Sequence, residues 1–172
     1  MKKLFFILSA AASFLLPACN EKGSDNGGMS EAAKKNLDAF HAVDNAFQTG
    51  DISRIDSLVA SDFVDHTPKG DYNRDSLKTM ITMMKNSGTM KSEIKKEFAD
   101  NEYVMGWMHW TGTSNGSMPD MPAGPYDMNG IEVVRFKDGK AVEHWAFMDA
   151  REMMKMMNSM PASAPTSTDK TK

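Results

Sequence analysis

The sequence has a single cysteine, Cys19, among its 172 residues, so no disulfide bond can form within the chain. It also has no cluster of lysine and arginine: 20 basic residues face 23 acidic ones, and the formal net charge is −3. A mildly acidic chain without a basic patch argues against a nucleic-acid partner, because proteins hold phosphates mainly through lysine and arginine. No internal repeat is visible. Roughly 150 residues follow the N-terminal segment, which is enough for one domain with a hydrophobic core.

Long apolar runs are also absent, apart from one at the N-terminus. Two lysines precede an apolar run from Leu4 to Leu16, which is too short for an ordinary membrane span and is typical of a signal peptide. The run ends in Leu-Pro-Ala-Cys at 16–19, which resembles the lipobox of bacterial lipoproteins. The resemblance implies cleavage after residue 18, lipidation of Cys19, and a membrane-anchored protein of the bacterial cell envelope, at the outer membrane on its periplasmic or surface side. The alternative is an ordinary secretory signal followed by a chance cysteine.

Composition also sets the expected limits of the folded part. Residues 19–28 are polar and rich in glycine, which predicts a flexible tether. Residues 161–172 (PASAPTSTDKTK) contain no large apolar side chain, which predicts a disordered tail. One folded domain is therefore expected over residues 29–160.

Helical periodicity dominates the first half of this domain. Residues 30–48 form the pattern of an amphipathic helix, with Ser30 placed to cap its N-terminus. Asp51 is placed to cap a short second helix. An extended segment at 63–68 follows, and a third helix is expected to start at Asp71 or Asn73.

After position 88 the apolar period changes from that of a helix to that of a strand. Strands are expected at 90–99 and 103–113, then as a hairpin over 130–149 with a type I′ turn at Asp138-Gly139. A short helical segment at 150–160 is expected to close the domain. Helices followed by strands predict an α+β fold, with three N-terminal helices packed on a curved antiparallel sheet of about four strands.

Three segments carry a resemblance to a known family: FHAVDNAFQTGD at 40–51, FVDHTP at 63–68, and residues 130–145. Together they are similar to SnoaL-like members of the nuclear transport factor 2-like superfamily. The resemblance implies an α+β cone with a ligand pocket between helices and sheet, and a homodimer. Polyketide cyclases of this family carry a catalytic aspartate directly after a His-Trp pair, and here Ala146 follows that pair. The superfamily includes cyclases, hydrolases, isomerases, dehydratases and non-catalytic proteins, so the fold does not select a reaction.

The predicted function is binding of a small, mostly apolar organic ligand, with acid–base chemistry if the protein is an enzyme. No cofactor or metal is expected. Glu132 and His144 are the candidate catalytic pair, because both fall on largely apolar strand faces and a desolvated carboxyl suits proton transfer. Each candidate also has a structural interpretation, as a cross-strand pair or a local turn. Ligand contacts are expected from Phe63, Asp65, His66, Trp107 and His109.

Two other functions stay open. The chain has 17 methionines, and thioethers favour Cu(I), so a copper-binding envelope protein is one alternative. Methionine also fills irregular cores and adaptable pockets. The second alternative is a non-catalytic scaffold or dimerisation module, with Met108, Trp110 and Phe147 forming an apolar patch on the outer sheet face. The methionines that suggested copper are the groups Met105/Met108, Met118/Met121 and Met153/Met154/Met156/Met157.

Overall fold

The computed structural model describes residues 28–118 and 121–159. The predicted signal peptide, Cys19, most of the predicted tether and the predicted tail at 161–172 lie outside the described residues. Within the described residues, no helix combines the length and the apolar character needed to cross a membrane.

The described chain contains four helices and six strands, and they alternate only in the N-terminal half. In chain order they are α1 (Glu31–Thr49), α2 (Ile55–Leu58), β1 (Val59–Thr67), β2 (Gly70–Tyr72), α3 (Arg74–Asn86), β3 (Gly88–Ala99), β4 (Tyr103–Ser114), β5 (Gly124–Lys137), β6 (Lys140–Met148) and α4 (Ala150–Ser159).

The ends of α1 and α3 follow from local sequence. The Ser30 side chain accepts a hydrogen bond from the Ala33 N–H, and Asn73 accepts one from the Ser76 N–H, so both predicted N-caps are confirmed. The predicted cap at Asp51 is wrong. Its carboxylate accepts from the Ser53 N–H in a turn, and α2 begins later, at Ile55, without a side-chain cap.

The six strands form one curved sheet in the order β2-β1-β6-β5-β4-β3. Strands β3 to β6 are an antiparallel meander, as predicted, and β5 and β6 meet at a turn where Asp138 has φ 54° and Gly139 φ 75°. Positive φ at both positions is the signature of the predicted type I′ turn.

The prediction of three helices and about four antiparallel strands is corrected by the structure, which has four helices and six strands among the described residues. The two additional strands, β1 and β2, lie at the other edge of the sheet. The extended segment at 63–68 belongs to a nine-residue strand, β1, which pairs in parallel with β6 and antiparallel with the short β2. The sheet is therefore mixed. Backbone groups of β1 form hydrogen bonds with β6, near the end of the domain. Because no short turn connects these two strands, the sequence gives no local signal of their pairing.

Helices α1 and α3 cover the inner face of the sheet, and the core lies between them. Met108 is fully buried there and Trp110 packs against the same core, so these two residues do not lie on an outer patch. Gly106, Met108 and Trp110 take the inward positions of β4 and leave Met105 and Trp107 exposed on the outer face.

Candidate active site

A cavity of about 360 Å³ lies between α1, α3 and the inner face of the sheet. Its volume falls in the range of small-molecule sites. Its walls are mainly apolar and include many aromatic rings, from Phe40, Phe47, Phe63, Tyr72, Trp110, Tyr126 and Phe136.

Two inward-facing glycines make room for these rings. A Cβ atom on Gly106 would lie 2.9 Å from Cζ of Phe40, and one on Gly130 would lie 2.8 Å from Cζ3 of Trp110. Both separations are shorter than ordinary carbon–carbon contact. The absence of side chains at these two positions therefore lets aromatic rings pack directly on the sheet beside the cavity.

Methionine contributes more side chains to the cavity than any other residue type. The thioether chain adapts to irregular shapes, so these walls suit an apolar ligand. The predicted copper pair Met105/Met108 does not converge, because Met105 is exposed on the outer face and Met108 is buried on the inner one. The side chains of Met153, Met156 and Met157 lie outside the described residues. The cavity methionines are Met80, Met84, Met90, Met121, Met128 and Met148.

A hydrogen bond in the cavity wall joins His144 on β6 to Asp65 on β1. The two residues face each other in the parallel register, and Nδ1 of His144 lies 2.8 Å from Oδ1 of Asp65. Because a carboxylate only accepts, Nδ1 carries the proton and donates it. The contact fixes the ring and leaves its Nε2 as the atom available to a ligand.

The environment of His144 favours its charged form. Burial acts against the imidazolium, but the hydrogen bond to Asp65 and the negative charges of Glu132 and Asp65 outweigh it and raise the pKa of His144 above its ordinary value. Only 6% of the Asp65 side chain is exposed, so this pair is shielded from water.

Glu132 lies on the same wall of the cavity. It faces Ala146 across the β5–β6 ladder, while His144 faces Val134, so Glu132 and His144 are diagonal neighbours on one face. Burial raises the pKa of Glu132 to about 7, with the charge of His144 acting against the rise and those of Asp44 and Asp65 adding to it. Both protonation states of this carboxyl are thus populated near neutral pH.

Glu132 is also the neighbour of Ala146, the residue that follows the His-Trp pair. Ala146 lines the cavity directly opposite Glu132 in the ladder. The carboxyl of Glu132 therefore lies on the same cavity wall as position 146.

Asp44 is a cavity carboxyl that sequence reasoning did not select. It projects from α1, where its side chain accepts a hydrogen bond from Nε2 of Gln48 at 3.0 Å. Burial raises its pKa, and the hydroxyl of Ser92, the hydrogen bond from Gln48 and the charge of His41 oppose the rise. The signal was present, because Asp44 lies on the apolar face of the helix between Phe40 and Phe47.

The structure brings together only some of the residues predicted to contact a ligand. Phe63 and Asp65 line the cavity beside His144. His66 borders the cavity, but its ring stacks on Trp145 with 4.8 Å between ring centroids, and its Nδ1 lies 3.0 Å from Oδ1 of Asp71. Neighbouring residues on a strand point to opposite faces, so the inward position of Asp65 directs His66 outward.

Trp107 and His109 are not brought to the cavity. Both lie on the outer face of the sheet, where Trp107 is 53% exposed and Nε2 of His109 lies 2.9 Å from Oδ1 of Asp127. Trp107 and His109 were expected in the pocket or core. They point outward because Met108 and Trp110 take the inward positions of the same strand. Among the described residues, no group of three or more histidine, cysteine, aspartate or glutamate side chains is arranged to hold a metal ion.

Comparison with known families agrees with this architecture. Residues 37–157 match the SnoaL-like polyketide cyclase family. The chain belongs to this family. No curated protein matches the chain.

Solved structures with the SnoaL-like fold resemble the domain over most of its length. IdmH of Streptomyces antibioticus, a proposed polyketide cyclase, is 20% identical with a TM-score of 0.59, over 72% of this chain and 98% of its own. An epoxide hydrolase of M. tuberculosis of the LEH-like type is 16% identical with a TM-score of 0.60, over 73% and 91%. TsrD of Streptomyces laurentii is 15% identical with a TM-score of 0.63, over 77% and 100%. At these identities the likeness concerns the fold.

Proposed function

We propose that this SnoaL-like domain binds a small organic ligand in its cavity and catalyses proton transfer on it without a cofactor. The proposal rests on one observation: Glu132 and the Asp65-paired His144 lie on one wall of a mainly apolar cavity. The matched family and the names of the similar structures, a proposed cyclase and an epoxide hydrolase, support an organic ligand.

The two groups have complementary roles. The Glu132 carboxylate takes a proton from a carbon of the ligand, because its raised pKa makes it a stronger base than an ordinary glutamate. His144 in its imidazolium form donates Nε2–H to the oxygen on which negative charge develops. Asp65 is a positioning residue, since it holds the ring and stabilises its charge.

A nitrobenzisoxazole tests this chemistry without knowledge of the natural ligand. Removal of its ring C–H proton by a base breaks the N–O bond and releases a coloured nitrophenolate. The wild-type protein is expected to open this ring faster than Glu132→Gln by on the order of 100-fold, with a rate that rises with pH around 7. Absorbance at several pH values measures the rate.

His144→Ala and Asp65→Asn separate the roles. His144→Ala is expected to lower the rate while binding of the probe, followed by calorimetry, is retained. Asp65→Asn should give a smaller loss and a lower pKa of His144 in an NMR titration. Asp127→Asn is the matched control, because that carboxylate pairs with His109 outside the cavity. Equal rates in wild type and Glu132→Gln would leave a binding protein without this catalysis.

The outer sheet face supports a second proposal, that the domain forms a homodimer. Trp107, Ile131 and Phe147 follow one another across β4, β5 and β6, and with Met105 they form what we call the outer stripe. Each is more than 40% exposed. A second copy presents the same apolar surface. Beside the stripe, Arg135 is paired with Glu143, and Lys96, which faces Trp107 in the β3–β4 ladder, lies over the ring of Phe98. Stacking two copies therefore buries apolar surface.

Trp107→Glu is expected to convert this dimer to a monomer, because it places a charge at the centre of the outer stripe. Light scattering coupled to size exclusion should show the molar mass fall by about half. Met83→Glu on α3, which is 41% exposed on a different surface, is the matched control and should keep the wild-type mass. A wild-type protein of monomer mass would contradict the proposal.

The location of the protein is a third proposal, and it rests on the sequence at Cys19. A lipidated cysteine would hold the domain at a membrane of the cell envelope, since each buried CH₂ of an acyl chain contributes ~0.8 kcal/mol. Cys19→Ser is expected to move the protein from the membrane fraction to the soluble fraction of a bacterial host. Retention of this variant in the membrane fraction would show that another segment anchors it.

A further inference from the structure

The charges that line the cavity do not balance. Asp44, Asp65 and Glu132 contribute three carboxyl groups, and no lysine or arginine is found among the described residues that line the cavity. His144 is the basic side chain that turns inward, and its Nδ1 is committed to Asp65. Neither Asp44 nor Glu132 forms an ion pair with a lysine or arginine in the described part of the chain, although the charge of His41 acts on Asp44 and that of His144 acts on Glu132.

These two carboxyls come from opposite walls. Asp44 projects from α1 and Glu132 from β5, and the negative charge of Asp44 contributes to the raised pKa of Glu132. Glu132 accepts no hydrogen bond from the described residues, and its side chain lines the cavity, where a ligand can reach it. A ligand with a positive charge and N–H donors would reduce the repulsion between the two carboxyls and would donate a hydrogen bond to Glu132.

The remaining surface of the cavity also suits an organic cation. Aromatic rings attract cations through their negative faces, most strongly where water is excluded. Rings of Phe40 and Phe47 precede and follow Asp44 on α1, and Trp110 and Tyr126 come from the sheet. Methionine side chains fill much of the rest and accommodate a hydrocarbon body.

We propose that the cavity selects an apolar amine, whose ammonium group binds Asp44 while its hydrocarbon body lies against the aromatic and methionine walls. Asp44 is then the specificity-determining residue, and the carbon beside the ammonium group faces Glu132 and His144. This inference rests on the proposed function, since the same cavity must hold an organic ligand.

A bound ammonium group also acts on the proposed base. Its positive charge favours the carboxylate form of Glu132, against the influence of Asp44 and Asp65 and in addition to that of His144. At pH 7, where Glu132 is partly protonated, binding should release a fraction of a proton. An amine therefore converts Glu132 to the form that accepts a proton from the ligand.

Three probes with one skeleton test the selection: phenethylamine, phenethyl alcohol and phenylacetate. Calorimetry on the purified protein at pH 7 is expected to show the amine binding about tenfold or more tightly than the alcohol, and phenylacetate binding most weakly. Repeating the amine titration in buffers of different ionisation enthalpy should reveal proton release, which Glu132→Gln removes.

Asp44→Asn provides the decisive comparison. It keeps the size and hydrogen-bonding capacity of the side chain, and it should abolish the preference for the amine while the affinity for the alcohol stays within about twofold, which also shows that the cavity is intact. Equal affinities of the wild-type protein for amine and alcohol would overturn this inference and leave the proposed function standing. Failure of all three probes to bind, together with no turnover of the nitrobenzisoxazole, would overturn both.

Discussion

Glu132→Gln is expected to stabilise the protein by as much as about 3 kcal/mol at pH 8 and to leave its stability unchanged near pH 4. The folded chain holds the pKa of Glu132 at about 7, whereas an unfolded chain returns it to its ordinary value of 4.5. Between these two values the folded state keeps a proton that the unfolded state releases. The stability of the wild-type protein therefore falls as pH rises through this window, and the glutamine variant lacks this loss.

Urea unfolding at several pH values between 4 and 8 measures the difference. Glu102→Gln is the matched control, because that side chain is 58% exposed, and its effect should stay within about 0.5 kcal/mol at every pH. If wild type and Glu132→Gln lose stability with the same dependence on pH, Glu132 is not the group that titrates near 7, and its proposed role as a base loses its support.

Met108→Ala is expected to destabilise the protein by about 2–5 kcal/mol, because the side chain is fully buried and its removal leaves a cavity in the core. Met83→Ala is the control for the residue type, since Met83 is 41% exposed on α3, and it should cost less than about 0.5 kcal/mol.

The same comparison tests the orientation of β4. Denaturant unfolding should show the midpoint shift for Met108→Ala with little change in slope. Equal, small losses for the two alanine variants would place Met108 on the outer face, as the scaffold alternative in the sequence analysis expected.

Local patterns were sufficient for the elements that depend on near neighbours. Ser30 and Asn73 cap helices through residues three positions away, and the Asp138-Gly139 turn sets the pairing of the first residues of the β5–β6 hairpin, up to Phe136 with Ala141. Continued along the strands, this register would place His144 on the face opposite Glu132, but the pairing shifts by one residue between Phe136 and Arg135. This bulge, which no turn signal predicts, is what brings Glu132 and His144 to one wall.

The partner of His144 could not be predicted in the same way. Asp65 reaches it through parallel pairing of β1 with β6, and a parallel pair has no connecting turn that reveals its register. Asp65 and His66 were both candidates for the cavity, and only the position of β6 decides that Asp65 points inward.

Strand β4 was ambiguous for a different reason. Both of its faces are apolar, with Met105 and Trp107 on one and Met108 and Trp110 on the other, so a period of two does not tell which face is buried. Two glycines determine which face of β4 is buried. Gly106 and Gly130 on the inner face leave the space that Phe40 and Trp110 fill, and this close packing is a property of the assembled layers.

The parallel pairing of β1 with β6 also determines when the site can form. The hydrogen bond between Asp65 and His144 joins residues 79 positions apart, and β6 is the last strand of the sheet to be synthesised. Contacts this distant in sequence form slowly, because a long loop must close before any stabilising interaction is gained. A chain with its helices and the β3–β5 meander in place but without β6 would still lack the hydrogen bond between Asp65 and His144, so this contact reports completion of folding.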